Sequence, residues 1–164
     1  MAKTLVFLQE HGLADYDALA EKTKVATKQF NGTSDRIKVI EARLHEITEL
    51  QKYIGTYKKT LDIYRLYQAG GRKKTFYAEH EPDITAHRAA KKHFDSLGLT
   101  KLPSMQNLKT EYATLTVKKK KLYGGYKAAR EEMVVLMRAK HNVDQLLSIP
   151  EPQQDLSKKD TPVQ

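Results

Sequence analysis

The chain has 164 residues, with 29 Lys and Arg against 20 Asp and Glu, giving a formal net charge of +9. It is 40% hydrophobic with no tryptophan, too polar for a broad globular core but suited to long helices that each bury one stripe. The lack of cysteine excludes disulfides and thiolate-held metals, no apolar run nears the ~20 residues of a membrane span, and the N-terminus has no signal-peptide core or cleavage site, so a soluble, cytoplasmic chain of bacterial style is expected.

Leu5 and Leu8 fall at helical spacing within residues 2–11. Gly12 followed by Leu13 then reads as a helix stop, with glycine in the left-handed position. Asp15 suits the cap of the next helix. From Tyr16 the pattern steps by three and four: Tyr16, Leu19, Thr23, Ala26, Phe30, Thr33, Ile37, Ile40, Leu44, Ile47, Gln51, Ile54. That is a heptad seam. It shifts to Tyr57, Leu61, Tyr64 and Tyr67, as a stutter would produce, and Gly70-Gly71 should end the helix. Asn31-Gly32-Thr33-Ser34-Asp35 has turn chemistry. A mid-helix glycine costs only about 1 kcal/mol relative to alanine, and the seam keeps register from Phe30 to Ile37. The favoured reading is therefore a continuous or slightly kinked helix.

Residues 72–80 read as irregular or a short turn. Pro82 suits the first turn of a helix running to about Ser96, with Ile84, Ala86, Ala90 and Phe94 available to pack. Gly98 ends it, and Ser104 caps the last helix. That helix has the cleaner seam: Leu108, Tyr112, Leu115, Lys119, Leu122, Tyr126, Ala129, Met133, Leu136, Lys140, Val143, Leu147. Ile149-Pro150 closes it, and 149–164 has the composition of a disordered polar tail.

The expected fold is all-α. Residues 1–148 form a long, antiparallel, coiled-coil-like helical hairpin with a short helical segment at the tip and a small N-terminal helix. Its long helices would measure roughly 80 and 65 Å at about 1.5 Å per residue. A heptad seam does not say whose helix it faces, so pairing between chains is the rival arrangement.

Charge is segregated. Residues 52–130 hold 18 basic and 6 acidic residues, and eight of the nine tyrosines lie between Tyr53 and Tyr126. Basic surface with interleaved aromatics is a nucleic-acid footprint. A solvated helix face explains a lysine run equally simply. On a helix, Lys118 and Lys121 share a flank, Lys120 points elsewhere, and Lys119 lies on the seam with its amine reaching out. Gly124-Gly125 then invites a bend. Tyr112 and Tyr126 fall on the seam and read as core; Tyr53 and Tyr123 fall beside it and read as exposed. The histidine group His80, His87 and His93 lacks the convergence that a metal needs and reads as surface or packing histidines. No tyrosine has a visible base or metal beside it, as a nucleophile requires. No catalytic residue, metal or cofactor is expected.

Three stretches carry a resemblance. "MAKTLVFLQEHGLADYDAL" (1–19), "YRLYQAGGRKKTFYAEHEPDITAHRAAKKHFDSLGLTKLPSMQNLKTEYATL" (64–115) and "KAAREEMVVLMRAKHNVDQLL" (127–147) resemble, in order and spacing, the C-terminal helical region of relaxase and mobilisation proteins of conjugative and mobilisable transposons. Relaxases nick one strand at an origin of transfer and stay attached to it through a tyrosine. Their nuclease lies N-terminal to the region resembled. The resemblance implies a tail module that contacts DNA or helps assemble the transfer complex. The nuclease needs a closely spaced histidine pair on a strand. This chain has no His-x-His and no strand pattern, so no nuclease residue carries over.

The leading expectation is a non-catalytic module that binds DNA weakly and with little sequence preference. Arg72, Lys73, Lys74, Lys118, Lys120 and Lys121 are its candidate phosphate contacts. The alternative is a coiled-coil module for protein interaction or self-association, with other transfer-complex proteins as partners. A basic rod lying on an anionic membrane surface is a weaker reading, because few large apolar residues would be exposed.

Overall fold

The computed structural model describes residues 16–148. The expected N-terminal helix at 2–11, the Asp15 cap and the polar tail at 149–164 lie outside the described residues. Three helices follow in order: α1 (Tyr16–Ala69), α2 (Lys74–Ser96) and α3 (Met105–Ser148). Among the described residues there is no strand, and no helix is long and apolar enough to cross a membrane. The chain divides into two compact units. One gathers 16–34 with 124–148, the other is Asp35–Tyr123.

In the first unit, α1 and α3 run antiparallel. The Tyr16 hydroxyl donates to Asp144, Thr23 Oγ1 lies 3.5 Å from the Leu136 carbonyl, and the Phe30 and Tyr126 rings sit 5.1 Å apart. Leu19, Ala26, Leu136 and Ala139 form its core, with Met133 and Val143 packed against it. Thr23 is buried at a seam position because its hydroxyl donates to the Leu19 carbonyl at 2.7 Å, which satisfies the polar group within its own helix.

Asp35–Tyr123 contains all of α2. Ile47, Leu50 and Ile54 of α1, Ala90 and Phe94 of α2, and Leu108 of α3 form its main core. A second cluster joins Tyr64, Tyr67 and Ile84 with Phe76 and Tyr77. Each fully buried Leu or Ile contributes about 1.5–3 kcal/mol relative to exposure. A half-exposed ion pair contributes about 1 kcal/mol or less. The seam therefore stabilises the fold, and the ion pairs adjust it. α1 is helical without interruption through Asn31-Gly32, and its seam faces α3 of the same chain, as a hairpin requires.

The helix ends follow local chemistry. After α1, Gly71 takes φ 74°, its amide bonds Gln68 O, and the Arg72 amide bonds Tyr67 O. After α2, Gly98 takes φ 66°, its amide bonds Asp95 O, and the Leu99 amide bonds Phe94 O. Both are paired closures around a left-handed glycine, and at the second Leu99 also packs on the Phe94 cluster. Ser104 Oγ accepts the Asn107 amide at 3.1 Å, as an N-cap does.

One feature differs from expectation. α2 begins at Lys74, eight residues before Pro82, and bends at His80 (φ −122°, ψ 21°). Packing of Phe76 and Tyr77 against Tyr67 holds the early turns helical. Pro82, which lacks an amide hydrogen and crowds the carbonyl four residues back, forces the bend. The resulting 23-residue helix does not sit across a tip. It runs back along α1, from Tyr67 beside Arg88 to Tyr53 beside His93. α3 is helical through Gly124-Gly125.

Candidate nucleic-acid interface

Arg72, Lys73 and Lys74 occupy the turn from α1 into α2 and are exposed. Arg72 holds φ 58°, a left-handed conformation that costs a non-glycine residue about 1–2 kcal/mol. Lys118, Lys120 and Lys121 are exposed in the middle of α3. These two triplets do not form one patch. Lys119, inside the lysine run, pairs with Glu41 at 3.2 Å. Glu41 lies 28 residues before Ala69, roughly 42 Å along α1 at 1.5 Å per residue. α3 packs on α1 only up to the level of Ile54, where Leu108 sits, and the remaining length of α1 is covered by α2.

The structure groups a different set of cations on α2. α2 carries Arg88, Lys91 and Lys92 on one flank, at spacings of three and four. The Arg88 guanidinium lies over the rings of Tyr67 (5.5 Å) and Tyr77 (5.9 Å). The Lys91 ammonium lies 5.5 Å over Tyr64. Cation–ring contacts of this kind hold the side chains in place while leaving their charge outward. On α1, Lys52, Lys59 and Leu66 recur at heptad spacing and are exposed. Leu66 is 62% exposed. Among the described residues, no cation from Lys52 to Lys109 forms an ion pair. Asp35–Tyr123 holds nineteen basic and ten acidic residues, so the surplus of the whole chain resides in this unit.

The tyrosines beneath these cations are stacked with histidine. His87 is buried, with Nδ1 2.8 Å from Thr60 Oγ1. Its ring lies between Tyr57 (4.6 Å) and Tyr64 (4.3 Å). Burial first, and the nearby Lys91 ammonium second, hold its imidazole below the usual histidine range. His93 stacks on Tyr53 at 4.3 Å, and its Nε2 is buried without a hydrogen-bond partner. No group of three His, Asp or Glu among the described residues is placed to hold a metal.

The tyrosine assignments change in two places. Tyr112 is 42% exposed rather than core, because α3 meets α1 at Leu108 and Leu115 and turns Tyr112 to the flank. Tyr53, expected outside, is half-buried against the Phe94 cluster, because α2 supplies a second wall there. Tyr126 is half-buried against Phe30 and Tyr123 is exposed, as the seam predicts. Sequence reasoning missed the flank of Arg88, Lys91 and Lys92. The available signal was the spacing of three cations on a helix whose other face carries Ile84, His87, Ala90 and Phe94.

No protein-family model, curated protein or solved structure matches the chain.

Proposed function

We propose that this chain is a non-catalytic helical module of a conjugative-transfer relaxase, contacting DNA through its phosphate backbone. The observation that carries the reading is the flank of exposed cations on α2, Arg88, Lys91 and Lys92, none of them ion-paired among the described residues, with Arg72–Lys74 exposed at the turn from α1. Lysine predominates, and its ammonium is a point charge on a flexible stem. It suits phosphate tracking better than base readout, which favours arginine's fixed fork. The resemblance of 64–115 and 127–147 to relaxase tails supports the assignment to transfer, and the absence of a His-x-His pair supports a role without nicking.

The test is a titration of fluorescent single- and double-stranded DNA at several salt concentrations. Glutamine is placed at Lys59, Arg88, Lys91 and Lys92 in one variant, and at Lys118, Lys120 and Lys121 in a second. A third carries it at Lys22, Lys24 and Lys28. Each phosphate contact removed lowers the slope of log affinity against log salt by about 0.9 on duplex DNA. The first variant should lose the most slope and the third the least. Equal losses in all three would reduce the effect to general charge. Absence of binding at low salt would refute the reading, as would metal-dependent nicking of an origin plasmid that is lost on tyrosine substitution.

A further inference from the structure

Lys118 and Lys121 share a flank of α3, and that flank borders an apolar groove. Its floor is Val39 and Ile40 of α1 and Leu115 and Leu122 of α3, and its volume is about 600 Å³. Val39 is 70% exposed. On α1 the same stripe continues through Arg43 and Glu46 to Leu50 and Ile54, which together with Leu97, Leu99 and Leu102 of the α2–α3 connection line a second cavity of about 690 Å³. There Leu97, Leu99 and Leu102 pack against the cluster of Leu50 and Ile54, whereas Val39 in the first groove stays exposed.

The boundary between the two is polar. Arg43 is engaged in a fork with Glu111, at 2.7 and 3.0 Å, and reaches Glu46 at 2.6 Å. Its charge is neutralised and does not contribute to the rim of the open part. That rim carries Arg36, Lys118 and Lys121 against a single acid, Asp35. None of the three cations is ion-paired among the described residues.

We propose that this groove receives an amphipathic α-helix from another protein, with an apolar stripe flanked by Asp and Glu. A helix laid between two helices inserts its residues at i, i+3/i+4 and i+7 into such a floor. The floor from Leu115 to Leu122 runs about 11 Å, two helical turns, enough for three such anchors. The cationic rim selects acidic flanks through charge complementarity. A second copy docking groove to groove would set Lys118 and Lys121 against their own equivalents, which disfavours self-pairing on this face.

The experiment uses the full chain and two synthetic amphipathic helices of about four turns, both with leucine at heptad positions a and d. One carries glutamate at e and g, the other lysine. Fluorescence anisotropy should show the glutamate peptide binding at least about tenfold more tightly than its twin. A Lys118→Glu/Lys121→Glu variant should reverse that preference. Val39→Asp should abolish binding with the thermal melt unchanged, because the side chain is exposed, and the DNA-surface variant at Lys59, Arg88, Lys91 and Lys92 should bind the peptide normally. Binding indifferent to Val39→Asp or to peptide charge would overturn the proposal. So would a wild-type dimer that Val39→Asp dissociates, because the occupant would then be a second copy.

Discussion

Glycine to alanine should have opposite signs at different positions of this chain, and backbone geometry decides which. Gly32 and Gly55 lie inside α1 and Gly125 inside α3, with helical φ and no atom within 4 Å of where a Cβ would stand. An added methyl there meets neither a clash nor a new contact, so only backbone entropy changes. Each substitution should stabilise by about 1 kcal/mol, or roughly 2–4 °C in melting temperature for a chain of this size. Gly71 and Gly98 hold φ of +74° and +66° in open space. Alanine there should destabilise by roughly 1–2 kcal/mol, because the left-handed region penalises a Cβ. Five single variants, melted in urea and by heat with far-ultraviolet circular dichroism, test both signs. Gly55→Ala and Gly71→Ala lie in the same unit, Asp35–Tyr123, and make the sharpest pair. If Gly55→Ala fails to stabilise, or Gly71→Ala costs nothing, the reasoning about local geometry is refuted.

His87 should make stability pH-dependent. Its folded-state pKa lies below the unfolded value, so its contribution is full above about pH 6.5 and is lost as pH falls from there towards the folded pKa. The difference in urea midpoint between wild type and His87→Leu should fall as pH falls across that window, and a difference independent of pH would refute the burial argument. The Arg43–Glu111 fork is more than a third exposed on both sides, so a double-mutant cycle with Arg43→Met and Glu111→Gln should give a coupling of about 0.5–1 kcal/mol. Repeating it in 1 M salt should shrink that coupling.

Much of this architecture was legible because it is local. Leu19, Ile37, Ile47 and Ile54 are buried where the heptad steps place them, and Leu108 and Leu136 likewise. Gly98 and Ser104 act as stop and cap. The continuity of α1 through Asn31-Gly32 followed from an unbroken register. What escaped depends on which helix meets which, and at what level. Thr60 is buried in place of Leu61 because His87 of α2 arrives opposite it. The candidate cations split because α3 begins 31 residues after Gly71-Arg72-Lys73 closes α1, counted from Lys74 to Met105, and by then the chain has run back along α1 as α2. No period in the sequence records that distance. The open groove at Val39 was hidden for a related reason: a seam pattern marks the residues between two helices and is silent about the flank on which a third would lie.

The Arg43 fork bears on a hazard of the seam itself. A heptad repeat is a ruler whose marks are similar, so sliding α3 by seven residues along α1 would again set most apolar positions against apolar ones. The marks differ at Glu111. A slide one way brings Ser104 to Arg43, which leaves the guanidinium without its acid. A slide the other way brings Lys118, turning an attraction into a repulsion worth about 1 kcal/mol at 4 Å in water and up to about 4 at the surface of a protein. The lysine run thus discriminates between alignments that the leucines treat as equal. It adds to the register information that Lys119 and Lys140 already place on the seam, and a chain with Lys118 neutralised should visit the slipped alignment more often on its way to the native one.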